Sequence, residues 1–156
     1  MIDPKTYSPE EIRTALRHCI GTQGYTRHWT KALVYTDGVE AMADMCGAHW
    51  LIDAIASYVP DINRLRANDP YASFHLWTLN ISTENTQWYR REDGEEGQRA
   101  GDPVAAQLVM RLDTDMPALI HQDIEYTNYP LPEGITLYMQ DGGPDYGWVL
   151  MLRSEY

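Results

Sequence analysis

The chain has few basic residues, few cysteines and no long apolar run. Its 156 residues contain 12 Lys and Arg against 23 Asp and Glu, which gives a net charge of −11. A chain this acidic is repelled by nucleic acid and by anionic membranes. No apolar stretch reaches the length of about 18 residues that a membrane-spanning helix needs, and no secretory signal precedes the first helix. We therefore expect a cytoplasmic protein with no membrane and no direct nucleic-acid partner.

Motifs for the common chemistries are also missing from the sequence. It has no glycine-flanked nucleophilic serine, no phosphate-binding glycine loop with a following lysine and no dinucleotide fingerprint. Cys19 and Cys46 fall in separate helical patterns, so we expect free thiols. Cys46 and His49 are spaced for one helix face, but a structural zinc site needs a second such pair, which is missing. We expect a protein that is not an enzyme, with no catalytic residue, no metal and no cofactor.

The apolar pattern predicts an α+β fold in a single domain that covers the whole chain. Ser8-Pro9-Glu10-Glu11 predicts a helix start with a capping box. A long apolar pattern over residues 39–59 predicts a buried helix that Pro60 ends. Residues 25–35 read as extended or irregular, and from Ser73 onward the period of two is typical of strands. We expect N-terminal helices packed on one face of a C-terminal antiparallel sheet of about five strands.

The acid is unevenly placed along the chain. Residues 1–78 carry 9 Asp and Glu against 7 Lys and Arg, whereas residues 79–156 carry 14 against 5. In the second half the acids gather in one loop and in two pairs spaced i, i+2, which projects both carboxylates from one face of a strand. The predicted partner-binding residues are Glu92, Asp93, Glu95, Glu96, Asp113, Asp115, Asp123 and Glu125. The pairs are also compatible with a solvated strand face, with acid–base groups or with oxygen ligands for a divalent cation.

Three segments of the sequence resemble a small family known only as domain of unknown function 6876. They are Tyr35-Thr36-Asp37-Gly38-Val39, Gly47-Ala48-His49-Trp50-Leu51-Ile52-Asp53-Ala54-Ile55-Ala56-Ser57 and the ending Val149-Leu150-Met151-Leu152-Arg153-Ser154-Glu155-Tyr156. The resemblance runs from about residue 30 to the C-terminus, and the chain departs from the family pattern at Arg153 and in a longer loop over residues 92–103. The family has no activity or catalytic residue to transfer. The resemblance implies an accessory protein of bacteria, plasmids or phages.

These observations together favour a non-enzymatic acidic interaction protein of a phage or other mobile element. Its acidic residues would bind a basic protein surface. In a narrower hypothesis they mimic DNA phosphates and inhibit a host nucleic-acid-binding defence complex, as an anti-CRISPR protein does.

Two alternative functions stay open at this point. One is a structural or oligomeric module, a homodimer included. The other is a small enzyme or ligand binder with a site between helix and sheet near His49, Asp53, His75 and Trp77. This last alternative requires a concave site with converging polar groups around His49 and Asp53, and it fails if both side chains are packed in solid core.

Overall fold

The computed structural model describes residues 7–90 and 103–156 and confirms the α+β class. In these residues the helices are α1 (Pro9–Arg17), α2 (Asp37–Cys46), α3 (His49–Ser57), α4 (Val59–Asn68) and α5 (Gly143–Tyr146), with short 3-10 helices at Pro70–Ser73 and Arg153–Glu155. The strands are β1 (Tyr25–Arg27), β2 (Leu33–Thr36), β3 (Phe74–Ile81), β4 (Trp88–Tyr89), β5 (Pro103–Val104), β6 (Ala106–Arg111), β7 (Ile120–Ile124), β8 (Ile135–Asp141) and β9 (Trp148–Leu152).

Within the described residues, seven strands form one sheet in the order β1-β2-β9-β8-β3-β6-β7. Neighbours are antiparallel except β2 and β9, which run parallel, and β4 pairs with β5 in a separate ribbon. The expected count of about five strands was too low. Residues 25–36 supply two short strands, and β2 is completed by pairing with the distant strand β9. A four-residue strand carries too little periodicity to be recognised without that partner.

The hydrophobic core lies between one face of the sheet and the helices α1 to α4. Trp77, Leu137 and Leu150 on the central strands share one buried cluster with Met42 of α2 and Ile55 of α3. Each of these side chains is at most 1% exposed. Burial of a large apolar side chain contributes roughly 2 kcal/mol. The helices and the strands therefore depend on the same core.

The single helix expected over residues 39–59 is two helices, and the structure corrects this prediction. Gly47 ends α2 in the left-handed conformation at φ 62°, which glycine adopts without steric cost. Pro60 lies in the first turn of α4 instead of ending a helix, because proline in a first turn needs no partner for a backbone N–H. As a result α3 is a short separate helix, and its His49 and Asp53 are exposed.

The C-terminal tail is tied to the start of α2 through Glu155. Its carboxylate accepts from the hydroxyl of Thr36 at 2.6 Å, from the hydroxyl of Thr22 at 3.2 Å and from the N–H of Leu152 at 2.9 Å. A Cβ at Gly38 would lie 2.5 Å from this carboxylate, so the site admits only glycine without rearrangement. A helix N-terminus also favours a negative charge. Two of the three segments that resemble the family, residues 35–39 and 149–156, are therefore in contact through Glu155.

Candidate functional site: a groove around Trp29

An exposed indole lies beside a groove between the β1–β2 connection and α3. Trp29 is 78% exposed, although a tryptophan side chain usually buries most of its large apolar surface. The groove has a volume of about 300 Å³. We call it the Trp29 groove, and its lining is Arg27, His28, Trp29, Tyr35, His49, Ile52 and Asp53.

Trp29 is held in place by Asp53. The indole Nε1 donates to Asp53 Oδ1 at 3.0 Å, and the indole ring lies 5.4 Å from the ring of His28. The same carboxylate oxygen lies 2.6 Å from His28 Nε2. A side chain that is already ordered loses less conformational entropy when a partner covers it. The indole is therefore exposed and pre-organised at the same time.

His28 orients this carboxylate and does not act as a free base. Its Nδ1 faces two donors of Thr30, the hydroxyl at 2.7 Å and the backbone N–H at 3.2 Å. Because Nδ1 accepts from the backbone N–H, the ring proton lies on Nε2, which donates to Asp53. The ring is 4% exposed, so both nitrogens are occupied in a buried site. The bond from His28 is the main cause that lowers the pKa of Asp53, and the bond from Trp29 acts in the same direction.

Three carboxylates place negative charge in or near the groove: Asp53 lines it, and Glu40 and Asp44 act on its wall residue Tyr35. Glu40 and Asp44 lie one turn apart on α2, and Asp53 lies on α3. The pKa of Tyr35 in the groove wall is raised, first by burial and then by the charges of these three carboxylates. Asp44 Oδ1 also lies 2.7 Å from Nε2 of the exposed His49. The groove is therefore suited to a positively charged group.

Arg27 is the basic residue of the lining, and its guanidinium is engaged elsewhere. Nη1 donates to the carbonyl of Tyr146 at 3.2 Å and Nη2 to the carbonyl of Asp145 at 3.4 Å. The arginine thus ties the β1 strand to α5. These carbonyl contacts leave the carboxylates of the groove without a pairing to Arg27.

The acidic residues expected on the β6–β7 hairpin are placed differently from the prediction. Asp113 and Asp115 were expected on a strand, but β6 ends at Arg111 and both lie exposed in the following loop. The reason is local, because Asp113 Oδ1 accepts from the N–H of Thr114 at 2.7 Å and begins a turn. The acidic loop over residues 92–96 (Glu92, Asp93, Glu95 and Glu96) lies outside the described residues.

The second predicted pair lies at the other end of the same hairpin. Asp123 is on β7 with a side chain 15% exposed, 2.8 Å from His121 Nε2 and 3.3 Å from Gln107 Nε2. Glu125 follows the end of β7 and pairs with Arg90. Asp113 and Asp115 sit in the loop that joins the two strands, so the described pairs are separated by the length of the hairpin. They do not form one patch.

Sequence reasoning named His49 and Asp53 as an alternative site and missed Trp29, Glu40 and Asp44. The concave site with converging polar groups that this alternative requires is present. His75 and Trp77, named with it, are instead at most 1% exposed in the core. A helical stripe of Asp37, Glu40 and Asp44 at i, i+3 and i+7 was a readable signal for the acidic side of α2. The bond of Trp29 to Asp53, 24 residues away, could not be predicted from the sequence.

Comparison with known proteins places the chain in a family. The model of a family of unknown function, DUF6876, matches residues 10–156. The chain belongs to DUF6876. This confirms the resemblance seen in the three segments, and DUF6876 membership brings no assigned role with it. No curated protein and no solved structure matches the chain.

Three further observations concern the described parts of the chain as a whole. None of the helices in residues 7–90 and 103–156 is long and apolar enough to cross a membrane. In the same residues, no three His, Cys, Asp or Glu side chains converge as ligands of a metal ion would. Cys19 and Cys46 are free thiols, as expected, and burial raises the pKa of the Cys46 thiol to about 11.

Proposed function

We propose that the protein is a non-enzymatic acidic interaction protein that binds a basic protein surface through the Trp29 groove. The observation that carries the proposal is an indole 78% exposed and fixed to Asp53, in a groove whose wall residue Tyr35 also feels the charges of Glu40 and Asp44. Tryptophan is enriched among the residues that dominate binding energy, and carboxylates complement Lys and Arg. A basic side chain of the partner would lie over the indole face while pairing with the carboxylates.

A small cationic ligand is the second candidate for the same groove. Its volume of about 300 Å³ is at the lower end of ligand-binding pockets. The pair between His49 and Asp44, both exposed, supports a polar ligand at this place. The buried and fully bonded His28 supports binding over catalysis, because it cannot take a proton from a substrate. The two candidates differ in the area of surface that the ligand covers, since a protein partner would also cover the exposed face of α2.

The narrower hypothesis concerns a host defence complex. A phage or mobile-element protein of net charge −11 would occupy the basic groove of a nucleic-acid-binding complex and compete with the nucleic acid there. The two free thiols support the cytoplasmic setting that this hypothesis needs. The hypothesis adds one requirement to the binding proposal: the captured partner must lose nucleic-acid affinity when this protein is bound.

The test is a pull-down from a lysate of the source organism at low and at high salt. The informative variant is Glu40→Gln/Asp44→Asn, and the matched control is Asp113→Asn/Asp115→Asn, which removes the same charge from the hairpin loop. We expect the wild type and the control to capture a common partner at low salt and the groove variant to lose it. High salt should release the partner, because exposed charges are screened.

Other outcomes of the pull-down contradict the proposal. Equal loss by both double variants would mean that net charge matters and the groove does not. Loss by the control alone would move the binding surface to the hairpin. Displacement of the bound partner by a small cation such as methylguanidine at low millimolar concentration would favour the ligand-binding candidate. A nucleic-acid competition assay with the purified partner then tests the narrower hypothesis.

A further inference from the structure

The sheet face turned away from α1 to α4 carries both apolar and polar side chains on its central strands β8, β3 and β6. Strand register places Tyr138 of β8 beside Leu76 of β3 and Leu76 beside Arg111 of β6. The next row along the strands places Thr136 of β8 beside Thr78 of β3. A row with aromatic, aliphatic and guanidinium side chains thus meets a row with two hydroxyl groups, in which Val109 of β6 also lies beside Thr78.

Two arginines border a pocket at this boundary. The pocket has a volume of about 140 Å³, its polar lining is Arg111, Arg153, Thr78, Thr136, Thr114 and Tyr138, and Leu76 contributes the apolar part. We call it the arginine pocket. Its position on the sheet is separate from the Trp29 groove, and no residue lines both.

The guanidinium of Arg111 is placed by a hydrogen bond, and Arg153 is placed by the position of its backbone. Arg111 Nη1 donates to the carbonyl of Met116 at 3.2 Å, which holds the side chain against the loop after β6. Arg153 begins the terminal 3-10 helix, whose position is set by the bonds of Glu155 to Thr36 and Leu152. Burial lowers the pKa of Arg111, but a guanidinium stays charged at neutral pH. Two permanent positive charges therefore face a small pocket in a strongly acidic chain.

The hydroxyl groups of the pocket add neutral donors. Thr78 Oγ1 and Thr136 Oγ1 lie 3.2 Å apart, so one of them donates to the other and the second retains its proton for a further acceptor. The carboxylate of Asp113 adjoins the lining residue Thr114: its Oδ1 accepts from the N–H of Thr114 at 2.7 Å and from its hydroxyl at 3.4 Å. This carboxylate is turned to the backbone of its own loop.

An aromatic cluster adjoins the pocket through Tyr138. Its ring lies 5.2 Å from Phe74 and 5.5 Å from Tyr156, both edge to face, and Phe74 and Tyr156 lie 5.0 Å apart. Tyr156 is 72% exposed. Aromatic rings offer a favourable surface for another planar ring. A ligand with an anionic head and an aromatic body would find both of its parts matched within one site.

We propose that the arginine pocket binds the phosphate group of an aromatic phosphate monoester, with the ring of the ester against Tyr138 and its neighbours. Arginine recognises phosphate through charge-assisted and often bidentate hydrogen bonds. The threonine hydroxyls supply further donors to the phosphate oxygens. The ester is the shared chemistry of a free small molecule and of a phosphotyrosine side chain. The proposal does not depend on any property of the Trp29 groove.

The experiment is a calorimetric and NMR titration of the full chain with three probes: inorganic phosphate, phenyl phosphate and a phosphotyrosine peptide of neutral flanking sequence. The informative variant is Arg153→Gln, because Arg153 is exposed and its loss leaves the core intact. Arg111→Gln is a second variant. Arg64→Gln, an exposed arginine of α4 outside the pocket, removes the same charge as a control.

We expect phenyl phosphate to bind more tightly than inorganic phosphate and both to weaken about tenfold in Arg153→Gln, as loss of a charge-assisted bond implies. Arg64→Gln should bind as the wild type does, and resonances of Thr78, Thr136 and Tyr138 should shift.

The relative affinities of the probes identify the source of the ligand. Tighter binding of the peptide than of phenyl phosphate would indicate a phosphotyrosine peptide, and tighter binding of phenyl phosphate would indicate a free ester. Absence of binding by all probes, or equal affinity in the wild type and Arg153→Gln, would overturn the proposal. Equal affinity for phosphate and phenyl phosphate would overturn its aromatic part.

Discussion

The segment from β1 to α3 and the β6–β7 hairpin both carry several carboxylates, and these are arranged differently. In the first, Glu40, Asp44 and Asp53 all act on Tyr35, which lies in the wall of one groove. In the hairpin, Asp113 and Asp115 lie at one end, whereas Asp123 and Glu125 lie at the other with partners of their own. Yet residues 1–78 carry a net charge of only −2 and residues 79–156 carry −9. Net charge per segment therefore does not show which carboxylates act on the same group, because electrostatic effects depend on distance in space.

The largest expected effect is a loss of folding stability at acidic pH. It tests whether the segment from β1 to α3 and the β6–β7 hairpin unfold together. His75 lies in the shared core with no exposed surface, its Nδ1 donates to the Ala72 carbonyl, and burial lowers its pKa to about 4. The unfolded chain takes up this proton near its ordinary pKa of about 6.5. Stability is therefore full above about pH 6.5 and falls as the pH drops toward 4, by about 3 kcal/mol.

This loss is measured by denaturant unfolding at neutral pH and near pH 4.5, followed at residues of α2 and of the hairpin by NMR. Both regions should lose stability by the same amount. The variant His75→Gln should lack most of the pH dependence in this window, whatever its overall stability. Unfolding of the hairpin at a different denaturant concentration from α2 would show that the regions are independent.

The next largest effect is a loss of partner binding. It compares a truncation in the Trp29 groove with a truncation beside the β6–β7 hairpin. Trp29→Ala should weaken binding of the captured partner by about thirtyfold, close to 2 kcal/mol, as truncation of a binding hot spot does. The matched control is Tyr126→Ala, which removes a ring that is 82% exposed next to Glu125. The control should change the dissociation constant by less than about threefold. Calorimetry with purified partner measures both, and a larger loss for Tyr126→Ala would reverse the assignment of the two regions.

A smaller effect concerns the contact that joins the N-terminal segment to the C-terminal tail. Gly38→Ala should lower the free energy of unfolding by about 1–2 kcal/mol, because the new Cβ would lie 2.5 Å from the Glu155 carboxylate. Gly24→Ala is the control, since a Cβ there meets nothing within 4 Å. Combining Gly38→Ala with Glu155→Ala should cost less than the two single losses together. Strict additivity in urea unfolding would argue against this contact.

The smallest expected effect concerns the anchoring of Trp29. Asp53→Ala should change stability by less than about 1 kcal/mol, because the Asp53 side chain is 51% exposed and its pairing is screened by water. It should nevertheless free the indole, which NMR relaxation of the Trp29 Nε1–H group detects. Asp115→Ala, in the hairpin loop, should leave that relaxation unchanged. An unchanged Trp29 signal in Asp53→Ala would show that the indole is ordered by other contacts.

Several features were predictable because they depend on neighbours in the chain. The capping box of Ser8 and Glu11 forms as expected, with both reciprocal bonds at 3.1 Å. Thr36 caps α2 by accepting from the N–H of Val39. The alternating segments of β3, β6 and β8 are strands. Each of these interactions spans a few residues, so the local pattern contains the information.

Other features were not predictable from apolar spacing, either because they depend on a distant strand or because a local turn or cap changed the geometry. The strand β2 exists as part of the sheet through its pairing with β9, and the break at Gly47 turned an expected buried helix into one that exposes His49 and Asp53. The predicted strand position of Asp113 was lost to a local turn at Thr114. In each case the competing geometry was invisible to a pattern of apolar spacing.

The amino-acid sequence by itself determined the net charge of −11, the α+β class and membership of DUF6876, because these depend on composition, on local periodicity and on matched segments. Tertiary structure alone decided which acids act together. The bond between Trp29 and Asp53 joins residues 24 positions apart, and the bond between Thr36 and Glu155 joins residues 119 apart. Electrostatic and packing energies fall with distance in space, so folding selects the carboxylates that share a groove.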